Sequence, residues 1–500
     1  MSGPALPVDG RWATLVLKNG RVFTMDPACP MATAVAAQGE HILAVGSDTE
    51  IEGFVRPDKT KVYDVCGKVV APGFIDIHVH LERGSRHVTA LWARQGVTTV
   101  VTGNCGVSSP DVGEYLRGID VDGARCDVAT LVGSDQVRRA AGVTSRYSAA
   151  STSQMTRLRD ATRDALLAGA VGISVGPDYA PGMSFDEQVA LAEVAAAERT
   201  VVTSHVRVQR GRGQVAHRAA IEEFLAVGRI AGSSLEISHI TSVSGRSYDE
   251  VYELVEAARH ETLDVTADCY PYDAWSTGIQ TAVFDGDWRA AFGVDFSDVE
   301  VVGGPCTGVR LDEALFARLR AAPHDTAVVG HGIPWEAVTR VFCRPWCMVA
   351  SDGIPGWGTG EDIGHPRQAG TFSRVLARLV REEGVLTLTD ALMKMTSLPA
   401  WRLQLPGKGR IAPGFDADLV VFDRQTVKDQ AGYAEAECRL PPQGIALVFL
   451  RGRLGVRDGA CLGPPPGRAL RRTCLSQPHT PVITSLPTLA ELTQGPARGR

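Results

Sequence analysis

At the start of the chain, apolar positions come in short β-branched runs broken by turns. TLVLKNGRVFTM, AVAAQGEHILAVG and KVYDVCGKVVAPG carry turn signals at Asn19-Gly20 and Gly39-Glu40, the pattern of consecutive short strands. The same texture returns late, in GKGRIAPGFDADLVVFD and IALVFLRGRLGVRDG. Two β-rich ends around a different middle predict that the termini meet in one small β domain, made of residues 12–70 and 405–472.

The middle, residues 71–404, alternates two periods. FIDIHVH, VTTVVTG, CDVATLVG, AVGISVG, TVVTSHV, SLEISHI, LDVTADCY and WCMVASDG read as buried strands. Between them, stretches such as SFDEQVALAEVAAAE and SYDEVYELVEAARH are apolar at helical spacing, with acids near their starts. Strand–helix alternation of this kind predicts an α/β fold, a closed parallel (β/α)8 TIM barrel, with a small β-sandwich domain built from both chain ends. TAVVGHG (326–332) would be a ninth strand, so it is assigned to an insertion at about 276–345, too long for a simple connection. The final stretch, 473–500, is rich in Pro, Ser and Thr without apolar periodicity and reads as a mobile tail.

Composition narrows the function classes. A net charge of −6 over 500 residues offers no general attraction to nucleic acid or anionic membranes. No stretch reaches the ~18–20 apolar residues of a membrane span, and the N-terminus lacks a secretory pattern. Eleven cysteines without framework spacing read as reduced thiols, which predicts a cytoplasmic protein. Oligomerisation is left open.

The chemistry is positional. In such a barrel the active site forms where strands end, at the C-terminal face. His78 and His80 close FIDIHVH, Cys105 follows VTTVVTG, His205 lies on TVVTSHV, His239 on SLEISHI, and Asp352 on CMVASDG. Residues two apart on a strand share a side, so His78 and His80 both point into the barrel. Any one of these histidines would ordinarily be a satisfied core residue; together they read as a metal site. Imidazole, thiolate and carboxylate donors suit zinc better than magnesium or calcium.

APGFIDIHVH, QGVTTVVTGNCG, GISVGPDYAPG, TSHVR, SLEISHI, DVTADCYPY and ASDG resemble the N-acyl-D-amino-acid deacylases, a branch of the amidohydrolase superfamily. HPRQAGTFSRVLARLVREEGVLTLTDALMKMTSLPAWRLQL and GRIAPGFDADLVVFD extend the resemblance over residues 15–471. The resemblance implies a tightly held zinc on Cys105, His205 and His239. It implies a second, weaker metal position at His78, His80 and Asp352, bridged by Cys105. Asp352 would be the general base, Arg367 of HPR the grip on the substrate carboxylate, and Tyr179 and Tyr272 tyrosines near the substrate. Three positions depart from the family pattern: Thr241 stands where a lysine helps hold the carboxylate, Leu81-Glu82 where Asp-Asp follows HxH, and Ser134 where a histidine follows LVG. The expected activity is hydrolysis of the amide bond of a small N-acyl-D-amino acid. The alternative is a different, cyclic or secondary-metabolite, amide on the same scaffold.

Overall fold

The computed structural model describes residues 11–82, 89–208, 215–355, 364–434 and 436–472; the tail expected at 473–500 lies outside them. Eight parallel strands follow one another around a barrel: Phe74–Asp76, Val97–Thr102, Asp127–Thr130 continued by Val132–Gly133, Gly172–Val175, Val201–Ser204, Ser234–Ile237, Val265–Cys269 and Cys347–Val349. The break at Leu131 lets the third strand pair backward with the second and forward with the fourth. A parallel bridge between Val79 and Gly353, reinforced by the His80 N–H donating to the Gly353 carbonyl at 2.9 Å, joins first strand to last.

The barrel strands are buried almost throughout, only Ser234 being partly exposed, because helices cover their outer faces, which is why they read as continuous apolar runs. The covering helices start where the sequence caps them. Ser184 and Glu187 form a reciprocal capping box at the head of Phe185–Ala197, and Ser151 with Gln154 does the same for Thr152–Leu167.

Between the seventh and eighth strands the chain leaves the barrel to form a three-stranded antiparallel sheet, Ala274–Gly278, Ala327–His331 and Val299–Val301. TAVVGHG is the central strand of this sheet, outside the barrel. The chain ends build two further sheets. One, of four strands, comes from the N-terminal part alone. The other joins both ends where Leu419–Phe422 runs antiparallel to Val69–Pro72. Leu15, Leu17, Val35 and Ile42 pack against Val70, Leu419, Val421 and Phe449 between them, giving the sandwich its core.

The sandwich is pinned to the barrel by buried charge. The Lys408 ammonium lies 2.7 Å from Asp127 of the third barrel strand, 2.9 Å from Asp416 and 2.6 Å from Asp418. Arg451 also pairs with Asp127. These three carboxylates are close enough to hold a metal ion, but the lysine already supplies their cation. Burial alone would lower the Lys408 pKa; the three acids raise it above the ordinary lysine range instead. Its contribution to stability is therefore present throughout neutral and acid-neutral conditions and is lost only as pH rises past that range. Lys408→Met leaves the acids buried without their cation and is expected to cost about 3–5 kcal/mol in denaturant unfolding. An unchanged unfolding midpoint would show that the network adds nothing to stability.

Candidate metal centre

The first strand delivers two imidazoles into the barrel mouth, with ring centroids 5.4 Å apart. The other donors arrive on backbone turns. Cys105, His239 and Asp352 all adopt positive φ, at 53°, 34° and 49°, a conformation uncommon for residues with a side chain. Neighbouring glycines make room for it: a Cβ on Gly103 would lie 2.3 Å from the Leu131 carbonyl oxygen, and one on Gly176 2.1 Å from that of Cys105. Strained backbone at several donors is a feature of functional sites.

Two groups of potential ligand atoms lie within 4.8 Å of one another, His78–Cys105–His239 and His78–His80–Asp352. Cys105 Sγ is 3.3 Å from His78 Nε2 and 3.4 Å from His239 Nε2. Asp352 Oδ1 is 3.2 Å from His80 Nε2 and 3.5 Å from His78 Nε2. His78 thus stands in both groups.

The expected trio of Cys105, His205 and His239 is not the tightest cluster. His205 sits at the same mouth, its ring 4.5 Å from that of His239, but its Nε2 faces Asp178 at 3.4 Å. Its Nδ1 is buried without a hydrogen-bond partner. Asp178 draws His205 toward the fourth strand's loop, while Asp268 Oδ2, 2.9 Å from His78 Nδ1, turns His78 Nε2 toward Cys105. An orphaned, buried ring nitrogen is the kind of group an ion would satisfy.

Electrostatics favour a bound cation. Burial would raise the Cys105 thiol, but the charges of His78 and His239 hold it well below the ordinary cysteine range. Burial likewise opposes the ionised Asp352, yet Arg367 and His78 keep it well below the usual carboxylate range. His80 is held by Glu82, 3.2 Å from its Nδ1, and the other Glu82 oxygen accepts the Thr102 hydroxyl at 2.6 Å. Glu82, one of the family departures, is therefore an orienting carboxylate.

The expected substrate residues divide. Arg367 Nη1 lies 2.8 Å from Asp352 Oδ2, and its guanidinium stacks 4.9 Å from the Tyr270 ring centroid. Tyr179 reaches the mouth, its ring 4.5 Å from that of His205 and its hydroxyl 3.2 Å from the Thr277 hydroxyl. Tyr272 turns away, against His365 and under Arg374. The cause is a tight turn at Pro271, in which the Tyr272 N–H donates to the Tyr270 carbonyl at 3.0 Å and sends the two tyrosines in different directions. Tyr270 is the tyrosine whose ring lies against the Arg367 guanidinium. Thr241 is fully buried with its hydroxyl 3.4 Å from Cys269 Sγ, because it lies on the short helix Ile240–Ser244 that His239 opens. Ser134 lies beneath the mouth, its hydroxyl accepting the N–H of Gly176 at the end of the fourth strand at 3.3 Å. Asp178 lies inside the motif GPDYAPG, and Asp268 and Tyr270 inside DVTADCYPY. An acid or tyrosine at a barrel strand's C-terminal end was the available signal.

A closed parallel barrel with histidines, a thiolate and a carboxylate converging at its C-terminal mouth is a barrel of the metal-dependent hydrolase type. The amidohydrolase family matches residues 138–454. The N-acyl-D-glutamate deacylase of Alcaligenes xylosoxydans xylosoxydans is 34% identical, with 92% of this chain and 96% of the relative covered. The D-aminoacylase of the same organism is 31% identical, over 92% of this chain and 98% of its own. The crystal structure of N-acyl-D-glutamate deacylase from Bordetella bronchiseptica, complexed with zinc and a phosphonate mimic of the tetrahedral intermediate, superposes with a TM-score of 0.80. It is 30% identical and covers 92% of this chain and 100% of that one. The chain belongs to the amidohydrolase family, in its N-acyl-D-amino-acid deacylase branch.

Because His78 and His239 stabilise the anion, metal-free protein is expected to keep Cys105 as thiolate well below the ordinary cysteine range of about 8.5. The thiolate absorbance lost in Cys105→Ser, followed against pH, reads this directly. A midpoint at the ordinary thiol value would show that the imidazoles do not stabilise the anion.

Proposed function

We propose that this chain is a zinc-dependent amidohydrolase that cleaves the amide bond of N-acyl-D-amino acids or close analogues, small molecules met in the cytoplasm. The convergence of His78, His80, Cys105, His239 and Asp352 in two overlapping clusters, with Arg367 against Asp352, carries this assignment. Likeness along nearly the whole chain to deacylases of N-acyl-D-amino acids supports the substrate class, and the zinc in the solved relative supports the metal. The described cysteines are free thiols, in keeping with a reducing compartment. No described helix is long and apolar enough to cross a membrane.

Thiolate, imidazole and carboxylate donors at this spacing fit zinc. In this assignment Cys105, His205 and His239 hold one zinc tightly. His78, His80 and Asp352 frame a second, weaker position, with Cys105 between the two. Zinc, when bound, polarises the scissile carbonyl and brings the pKa of water toward 7.

Asp352 is the proton carrier: its carboxylate takes the proton from the attacking water and returns it to the leaving nitrogen. One of its oxygens faces His78 and His80 and the other faces Arg367, so it sits between the metal ligands and the substrate grip. Arg367 receives the substrate carboxylate in its guanidinium fork, and the Tyr270 ring beneath fixes the plane of that fork. A substrate carboxylate competes with Asp352 for the same guanidinium, which couples substrate binding to release of the base. Tyr179 and Thr277 close the side of the mouth next to His205.

With zinc restored, purified enzyme is expected to release amino acid from N-acyl-D- and not N-acyl-L-substrates. Asp352→Asn should stay folded and lose about 10²–10⁴-fold in kcat. Turnover of cyclic amides alone would assign the scaffold to that other substrate class. Near-normal turnover by Asp352→Asn would give the proton to another group.

Arg367→Ala removes the charge that keeps Asp352 ionised, a loss common to all substrates, and is expected to cost a further ~2–5 kcal/mol on a carboxylated substrate relative to its amide-capped analogue. Arg367→Lys should recover little, since a point charge does not reproduce the fork. Equal losses on both substrates would reduce Arg367 to a structural ion pair.

A further inference from the structure

The buried carboxylate of Asp268 lies near the C-terminal end of the seventh barrel strand, Val265–Cys269, and touches two of the histidines assigned to the metal through different atoms. Its Oδ2 lies 2.9 Å from His78 Nδ1. Its Oδ1 accepts the backbone N–H of His239 at 2.7 Å. These contacts cross the barrel, from the seventh strand to the first and to the end of the sixth.

Each contact has a definite consequence. In the neutral ring, a carboxylate at Nδ1 keeps the proton on that nitrogen, which leaves the Nε2 lone pair of His78 free for a metal ion. That Nε2 is the atom 3.3 Å from Cys105 Sγ and 3.5 Å from Asp352 Oδ1. At His239 the backbone is left-handed, with φ 34°, and the hydrogen bond to Asp268 holds its N–H. The ring then presents Nε2 to Cys105 at 3.4 Å, while the Ser242 hydroxyl lies 2.9 Å from Nδ1. Beside Asp268, Glu236 is buried with one oxygen unpartnered.

We propose that Asp268 is the positioning residue of the metal centre, orienting His78 through its ring and His239 through its backbone with a single carboxylate. This rests on the assignment of zinc to the mouth made above. Only a group with two acceptors serves both contacts. An asparagine has one. With its oxygen toward the His239 N–H, its amide donates to His78 Nδ1 and drives the proton to Nε2, the atom needed for the metal. With its oxygen toward His78, its amide meets the His239 N–H donor to donor, and the left-handed turn loses its hold.

Orienting carboxylates of this kind are worth about 10–100-fold in metal affinity. The test is zinc affinity by chelator competition for the wild-type chain, Asp268→Asn and Asp268→Ala, with circular dichroism to confirm folding. Folded Asp268→Asn is expected to bind zinc about 10–100-fold more weakly, with a fall in kcat and little change in KM at saturating zinc. A lowered melting temperature with unaltered zinc affinity would make Asp268 merely structural and overturn the proposal. Should Asp268→Asn not fold, zinc-loaded wild-type enzyme labelled with 15N-histidine decides the matter. His78 should show a proton on Nδ1 in a downfield, hydrogen-bonded resonance, and its absence would overturn the proposal. A wild-type chain that takes up no zinc would instead overturn the metal assignment itself.

Discussion

One buried carboxylate at the barrel seam, Asp76, holds together the two strands on which most of the site depends. It accepts the backbone N–H groups of His78 at 3.2 Å and Ser351 at 3.0 Å, and the Trp92 indole N–H at 2.8 Å. Burial pushes its pKa up to about 6 despite these donors, so the contacts are made in a dry interior where each is worth more than at the surface. The residues on either side of this knot are His78 and Asp352. A slip of one residue between first and last strands would turn His78 and His80 out of the barrel, because side chains alternate along a strand. Asp76, with the Val79–Gly353 bridge, sets that register.

The barrel then separates two electrostatic problems. At its N-terminal end the acids Asp127, Asp416 and Asp418 surround Lys408, a permanent cation that belongs to the chain. At the C-terminal mouth Asp352, Asp268, Asp178, Glu82 and the Cys105 thiolate surround imidazoles. Those imidazoles carry lone pairs as well as protons, so the mouth can exchange protons for a metal ion and the base cannot. Similar charge densities thus give adhesion between domains at one end and chemistry at the other. The left-handed backbone at Cys105, His239 and Asp352 stores local strain where the donors must converge.

The barrel mouth shows how a local sequence change is absorbed. Thr241 stands where the family pattern has a lysine, and its side chain is committed to Cys269 in the core. Arg367, stacked on Tyr270, remains the cation at Asp352. Glu82 stands within the departed Asp-Asp position and holds His80. At positions beside the donor motifs the chain thus departs from the family pattern while the donors themselves converge.

The sequence by itself determined the strand–helix alternation, the β-rich texture of both ends and the donors at strand tips, because these follow from short-range periodicity; that the two ends pair was decided by the tertiary structure. HxH on a strand and Cys105 between glycines are legible for the same reason: the spacing of two, or a turn, acts within a few residues. The antiparallel sheet in the insertion was legible only as a surplus strand. Tertiary structure alone decided which nitrogen each histidine offers, since that depends on Asp268, Asp178 and Glu82, and Asp268 lies 190 residues from His78. It also decided that Tyr270, not Tyr272, lies under Arg367, because one turn at Pro271 reverses a choice that alternation would have made identically for both. Periodicity states which side of an element a residue occupies. The direction of a lone pair is set by whatever atom the closed barrel brings against it.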